Sequence, residues 1–198
     1  PLKVQSPRTP RAPLEKVEQA AALISDAHFP LVIAGNGVIR AGASDALVNF
    51  AEKLRIPVAT TFMAKGVIPF SHEYCLGSVS LQARDYVACG LDRADLVICV
   101  GYDMVEYHPH LWNPGRAQRI VHIDRMAAEV DAHYMLEAGV LGDISQSLDD
   151  IAARATPQPA YAATSLRERI VEDFHEHRAD NSYPMKPQRI IWDLRQVL

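Results

Sequence analysis

The chain is expected to fold as a doubly wound α/β domain around a mainly parallel sheet of about six strands. Three observations predict this. Short apolar runs alternate with stretches of helical periodicity along most of the 198 residues. Two of the runs, Leu31-Val32-Ile33-Ala34 and Leu96-Val97-Ile98-Cys99-Val100, are apolar at every position, as strands covered on both faces are. Both are closed by a glycine, Gly35 and Gly101, where such folds turn from strand to loop.

The elements follow in order. Residues 1–13 carry Pro1, Pro7, Pro10 and Pro13 and suit an extended linker. Val17, Ala20, Ala21 and Ile24 then recur on one helical face. After the first strand, Leu47, Phe50, Ala51 and Leu54 mark a second helix, and Pro57 to Thr61 a second strand. A long irregular stretch leads to a helix around Ala83 to Leu91, followed by the strand ending at Val100. Arg119 to Asp124 and Gly139 to Gly142 read as further strands. Asp143 or Ser145 can cap the next helix, to about Ala155, by offering a side-chain oxygen to the free amides of its first turn. Residues 156–198 differ: a linker-like Thr156-Pro157-Gln158-Pro159, a charged helix from about Ser165 to Arg178, then Pro184 and Pro187 before an amphipathic helix from Gln188 to Leu198.

Composition excludes several functions. A formal charge of -4 gives no basic face for nucleic acid. No apolar run approaches the ~20 residues of a membrane helix. Cys75, Cys89 and Cys99 are not spaced as a zinc knuckle or redox pair, and free thiols suit a reducing cytosol. The chain begins Pro1-Leu2-Lys3-Val4, with no initiator Met or signal-peptide core, and is expected to be part of a longer gene product.

Candidate chemistry gathers after the strands. Gly35-Asn36-Gly37 could let backbone amides approach a phosphate at a helix N-terminus, or be a glycine-rich turn without ligand. The strict G-x-G-x-x-G spacing is missing, since the next glycine is Gly42. Asp124 could bind a ribose hydroxyl or cap a helical segment beginning near Met126. Between Gly101 and Asn113 lie aromatics together with Asp103, Glu106, His108 and His110. These four could be imagined as metal ligands, but an aromatic-rich loop more often packs on a neighbouring domain or subunit. His175 and His177 sit among Glu172, Asp173, Glu176 and Arg178 on a solvated helix face. No nucleophile elbow, Walker loop or kinase signature is present, and no catalytic residue is assigned.

The stretch Ala94 to Asp103, through Val105-Glu106-Tyr107 to Leu111-Trp112-Asn113 and on to Ile120–Asp124 and Gly142-Asp143-Ile144, resembles the central domain of the catabolic acetolactate synthases. Upstream, Pro57 to Gly66 and Leu76-Gly77 resemble the wider family of thiamine-diphosphate (ThDP) decarboxylases and synthases. The resemblance implies a Rossmann-like middle domain over residues 14–155, flanked by linker residues 1–13 and by residues 156–198 leading into a third domain. It further implies that two pyruvates form 2-acetolactate and CO2, with ThDP and Mg2+ held by the first and third domains. The catalytic glutamate belongs to the first domain, so this chain alone is expected to be inactive. Lys65 and Gln82 would lie near the substrate end of the assembled site, and Gly35, Asn36, Gly37, Gly101 and Asp124 would mark a weak or vestigial nucleotide site. Flavin-containing relatives use an arginine-bearing loop after the strand ending here at Val100. The bulky Tyr102–Trp112 segment lacks an early Arg, so no FAD is expected. The resemblance implies assembly of the full-length protein as a dimer or tetramer, and the free thiols point to the cytoplasm. Related members acting on other substrates bind ADP or a CoA nucleotide in this domain, and a stand-alone nucleotide-binding module is the remaining alternative.

Overall fold

The computed structural model describes residues 9–79, 86–176 and 178–197. Six strands form one parallel sheet: β1 Pro30–Ala34, β2 Val58–Thr60, β3 Cys75–Ser78, β4 Leu96–Val100, β5 Arg119–Asp124 and β6 Ala138–Leu141. Their order is β3-β2-β1-β4-β5-β6, the doubly wound arrangement in which the chain reverses its direction of growth between β1 and β4. Val32 stands beside Val58 on one side and Ile98 on the other, and Ile98 beside Val121.

Two apolar layers follow from the alternation of side chains along each strand. Val32, Ala34, Val58, Ile98, Val100, Val121 and Ile123 point to a layer closed by α1 (Leu14–Asp26), α3 (Ser44–Leu54) and α5 (Ile144–Ala152). Leu31, Ile33, Ala59, Val97, Cys99 and Ile120 point to the other, closed by α4 (Tyr86–Arg93) and α6 (Ala160–His175). The central strands β1 and β4 are buried at all five positions. Each large aliphatic side chain so buried contributes about 1.5–3 kcal/mol relative to exposure. The short α2 (Asn36–Ala41) bridges β1 and α3 and ends at Gly42, whose φ of 64° is left-handed. The last helix, α7 (Pro187–Val197), has no buried residue.

Local chemistry sets the boundaries. Asp143 caps α5, its carboxylate accepting from the Gln146 amide at 3.0 Å. Asp95, just before β4, accepts from the amides of His28 and Phe29 at 2.9 and 2.7 Å and meets Arg119 at 3.4 Å. It thereby ties together the leading ends of β1, β4 and β5. Burial alone would raise its pKa, but the two amides and Arg119 outweigh it and hold the carboxyl below its usual value.

Two expectations are corrected. The irregular stretch before α4 contains β3, an edge strand that Cys75-Leu76-Gly77-Ser78 does not announce because it has no β-branched run and its Gly77 lies at φ 99°. Asp124 caps no helix. Residues 125–137 are irregular, and the Asp124 carboxylate instead accepts from the amides of Arg125 and Met126 in a turn.

Candidate functional site

A crevice in this fold is expected at the carboxyl ends of the strands, where β1 and β4 part company. There the turns after β1 and β4 are locked together by backbone contact. A Cβ on Gly35 would stand 2.4 Å from the Gly101 carbonyl oxygen, and one on Gly37 2.6 Å from Gly101 Cα. Gly101 itself, at φ 55°, would meet the Val38 nitrogen at 2.4 Å. These glycines are therefore required by the approach of one turn to the other.

The amides of the turn are already used. Gly35 N–H donates to the Val100 carbonyl at 2.9 Å, Gly37 N–H to the Gly101 carbonyl at 2.8 Å, and Val38 N–H to the Gly35 carbonyl at 3.1 Å. Asn36 N–H donates to the carboxylate of Glu106 at 3.1 Å, and the fully buried Thr61 hydroxyl donates to its other oxygen. Glu106 thus ties the turns after β1, β2 and β4 into one assembly. An anion is already supplied, covalently, where a phosphate would approach the glycine turn.

Asp124 lies elsewhere on the same edge. With Gly101, Arg40, His122 and Tyr134 it lines a cavity of about 130 Å³. His122 is buried and shares a 2.9 Å hydrogen bond between its Nδ1 and the Tyr134 hydroxyl. Burial lowers its pKa from 6.5 and favours the neutral ring. The structure therefore groups Gly35, Asn36, Gly37 and Gly101 at one contact and joins Gly101 to Asp124 around a separate, small hollow. Lys65, beyond the 3-10 turn Phe62–Ala64 that follows β2, lines a larger cavity of about 660 Å³ together with Thr60 and Ser78. Gln82 lies outside the described residues.

The Gly101–Asn113 segment packs inward, correcting the expectation that its aromatics face a neighbouring domain. Tyr102, Tyr107 and Trp112 are buried. Trp112 Nε1–H donates to the Tyr102 hydroxyl at 3.2 Å, and that hydroxyl donates to the Tyr107 carbonyl. Tyr102 also lies 5.6 Å from the Tyr134 ring, centroid to centroid. Burial pushes the Tyr102 hydroxyl far above its usual pKa, so it remains a neutral donor. The four imagined metal ligands are dispersed. Glu106 serves Asn36 and Thr61, Asp103 accepts from the Val105 amide at 2.9 Å, and the His108 and His110 Nδ1 atoms share a 2.8 Å hydrogen bond. Among the described residues no group of three or more His, Cys, Asp or Glu side chains is placed to hold a metal. The clamp formed by Glu106 with Thr61 is the feature that sequence reasoning missed. No local spacing signals a contact between residues 45 positions apart.

The all-parallel sheet, with its reversal of strand order between β1 and β4, defines a Rossmann-type α/β domain. Within that class, residues 17–151 match the family described as thiamine pyrophosphate enzyme, central domain, and the chain belongs to this family. Across 97% of its length it is 32% identical to a probable acetolactate synthase large subunit of Methanocaldococcus jannaschii, covering 33% of that protein. Across its full length it is 29% identical to a glyoxylate carboligase of Escherichia coli O157:H7, covering 34% of it. An X-ray structure of an enzyme from Mycobacterium smegmatis, described as thiamin diphosphate-dependent, superposes with a TM-score of 0.59 at 26% identity, over 80% of this chain and 32% of that one. The chain thus spans about a third of the length of the relatives it matches. No helix among the described residues is long and apolar enough to cross a membrane.

Proposed function

We propose that this chain is the central, non-catalytic domain of an acetolactate synthase that condenses two pyruvates to 2-acetolactate and CO2. The observation that carries the reading is its alignment, nearly end to end, with one third of a protein named acetolactate synthase. In this reading residues 14–155 are the domain proper, and residues 1–13 and 156–198 connect it to flanking domains that hold ThDP and Mg2+. The assembled enzyme is a cytoplasmic homodimer or homotetramer. ThDP supplies the electron sink for decarboxylation when bound. This chain contributes a rigid wall, with Lys65 and Gln82 toward the substrate and no group that touches the reacting atoms.

The domain carries no FAD. Supporting this are Glu106, which occupies the amide of Asn36, and the mutual contact of Gly35, Gly37 and Gly101, which leaves no gap between the two turns. A pyrophosphate there would meet a carboxylate and amides that already have acceptors. The five site residues Gly35, Asn36, Gly37, Gly101 and Asp124 are accordingly a vestigial nucleotide edge.

A second reading, glyoxylate condensation, is favoured by the full-length match to a glyoxylate carboligase. The test is to supply the longer protein that contains this chain with ThDP, Mg2+ and either pyruvate or glyoxylate. Acetolactate from pyruvate, no turnover of glyoxylate and no flavin absorbance are expected. Preference for glyoxylate would replace the first reading with the second. Acetolactate formed by the 198-residue chain alone would refute the non-catalytic role.

A further inference from the structure

Three histidines gather where the segment after β4 faces the segment after β5: His108 and His110 on the first, His133 on the second. Their hydrogen bonds fix which ring nitrogen carries the proton. His108 Nδ1 accepts from the His110 amide at 3.3 Å, capping the 3-10 turn Pro109–Leu111, so it carries no proton itself. The 2.8 Å contact between the two Nδ1 atoms is then one in which His110 donates. His133 Nδ1 lies 3.1 Å from the Asn113 carbonyl oxygen, which only accepts, so His133 donates there as well. His110 and His133 therefore both hold their proton on Nδ1 and keep the lone pair on Nε2. Their ring centres are 6.5 Å apart, with His110 exposed and His133 half-buried.

A second layer orients these two rings. His108, with its proton on Nε2, faces the Asp131 carboxylate at 3.7 Å, and the other Asp131 oxygen accepts from the His133 amide at 2.7 Å. Metal-ligating histidine has this arrangement, its second ring nitrogen donating to a fixed acceptor. From it we infer that His110 Nε2 and His133 Nε2 form a two-histidine site for a divalent cation of the zinc and copper class, with His108 and Asp131 as its outer layer. Imidazole suits zinc, copper and nickel, whereas Mg2+ takes oxygen ligands and does not compete. Metal–nitrogen bonds of about 2.0–2.1 Å place two rings on one ion roughly 5–6 Å apart between centres, and rotation of the exposed His110 side chain closes the difference. Among the described residues no group of three or more such side chains is placed around one ion, so water completes the coordination. The site belongs to this chain alone and does not depend on the acetolactate reading.

The test is calorimetric titration of the 198-residue chain with Zn2+ at neutral pH in the presence of excess Mg2+. One saturable site, one ion per chain, is expected. His110→Ala and His133→Ala should each abolish it. His108→Ala, which removes the acceptor of the His110 Nδ1 proton, should weaken it about tenfold, the lower end for loss of an outer-layer partner. His72→Ala, whose ring pairs instead with Glu52 on α3, should leave it unchanged. His110 is exposed, so its variant should keep the fold, which far-UV circular dichroism checks. Zinc bound equally well by the His110→Ala chain would be adventitious binding to surface side chains and would overturn the site, as would the absence of saturable binding. Displacement of zinc by Mg2+ would overturn the choice of metal class, and indifference to His108→Ala would overturn the outer layer.

Discussion

Removing the Glu106 carboxylate is the sharpest perturbation of this fold. In Glu106→Ala the Asn36 amide loses its acceptor, and the Thr61 hydroxyl, fully buried, is left without one. Hydrogen bonds to charged groups are worth about 1.5–3 kcal/mol each, and an unsatisfied buried donor costs about 1–3 kcal/mol. Glu106 is half-buried and water can replace part of the loss, so the lower ends apply and the expected destabilisation is about 3 kcal/mol. Glu106→Gln keeps one carbonyl acceptor and should cost about 1 kcal/mol, as should Thr61→Val, which removes the donor. The double variant should fall short of the sum, because each change removes the same bond. Urea unfolding with an unchanged m-value reads these differences. For a domain of this size the Glu106→Ala loss corresponds to about 6–12 °C in Tm. A Glu106→Ala variant within about 0.5 kcal/mol of the parent, or strict additivity with Thr61→Val, would refute the clamp.

Three further outcomes are expected. Gly101→Ala combines a φ of 55° with a Cβ only 2.4 Å from the Val38 nitrogen and should cost at least about 2–3 kcal/mol in urea unfolding. His122, whose folded pKa is lowered by burial from 6.5, favours the folded state fully above that value. Its contribution is lost as pH falls from 6.5 through the lowered folded pKa, because the unfolded chain takes up the proton first. His122→Gln should flatten that part of the stability–pH curve, and an unchanged curve would remove His122 from the account. Of the three free thiols only Cys89 is exposed, while burial raises Cys75 and pushes Cys99 up to about 12. A thiol reagent at neutral pH should therefore label one cysteine quickly and the others only on unfolding.

The parts of the fold legible in the sequence are those whose burial is written into consecutive residues. Leu31–Ala34 and Leu96–Val100 read as strands covered on both sides, and Asp143 was one of two candidate caps, with Ser145, for the start of α5. β3 was not legible, since an edge strand of Cys75, Leu76, Gly77 and Ser78 draws its order from pairing with β2 rather than from its own composition. Gly35 and Gly37 were legible as a turn after the first strand, but the facing turn at Gly101 that requires them is not revealed by adjacency in sequence. Glu106 illustrates the same limit. Its neighbours His108 and His110 suggested ligation, whereas its partners Asn36 and Thr61 are brought to it only by the strand order.

The segment before α1 has a mechanical consequence. The Asp143 amide donates to the Pro10 carbonyl at 2.9 Å, Arg11 bonds Gln146 at 2.9 Å, and Ala12 lies so close to Gly142 that a Cβ there would stand 2.4 Å from its nitrogen. The ends of the stretch from Pro10 to Asp143 are thus fastened side by side, making the sheet and the helices between them a closed loop. Tension applied at those two points would load this fastening before it could peel the strands apart. Displacement would pass from one side of the domain to the other as movement of a stiff body rather than as stretching of the sheet.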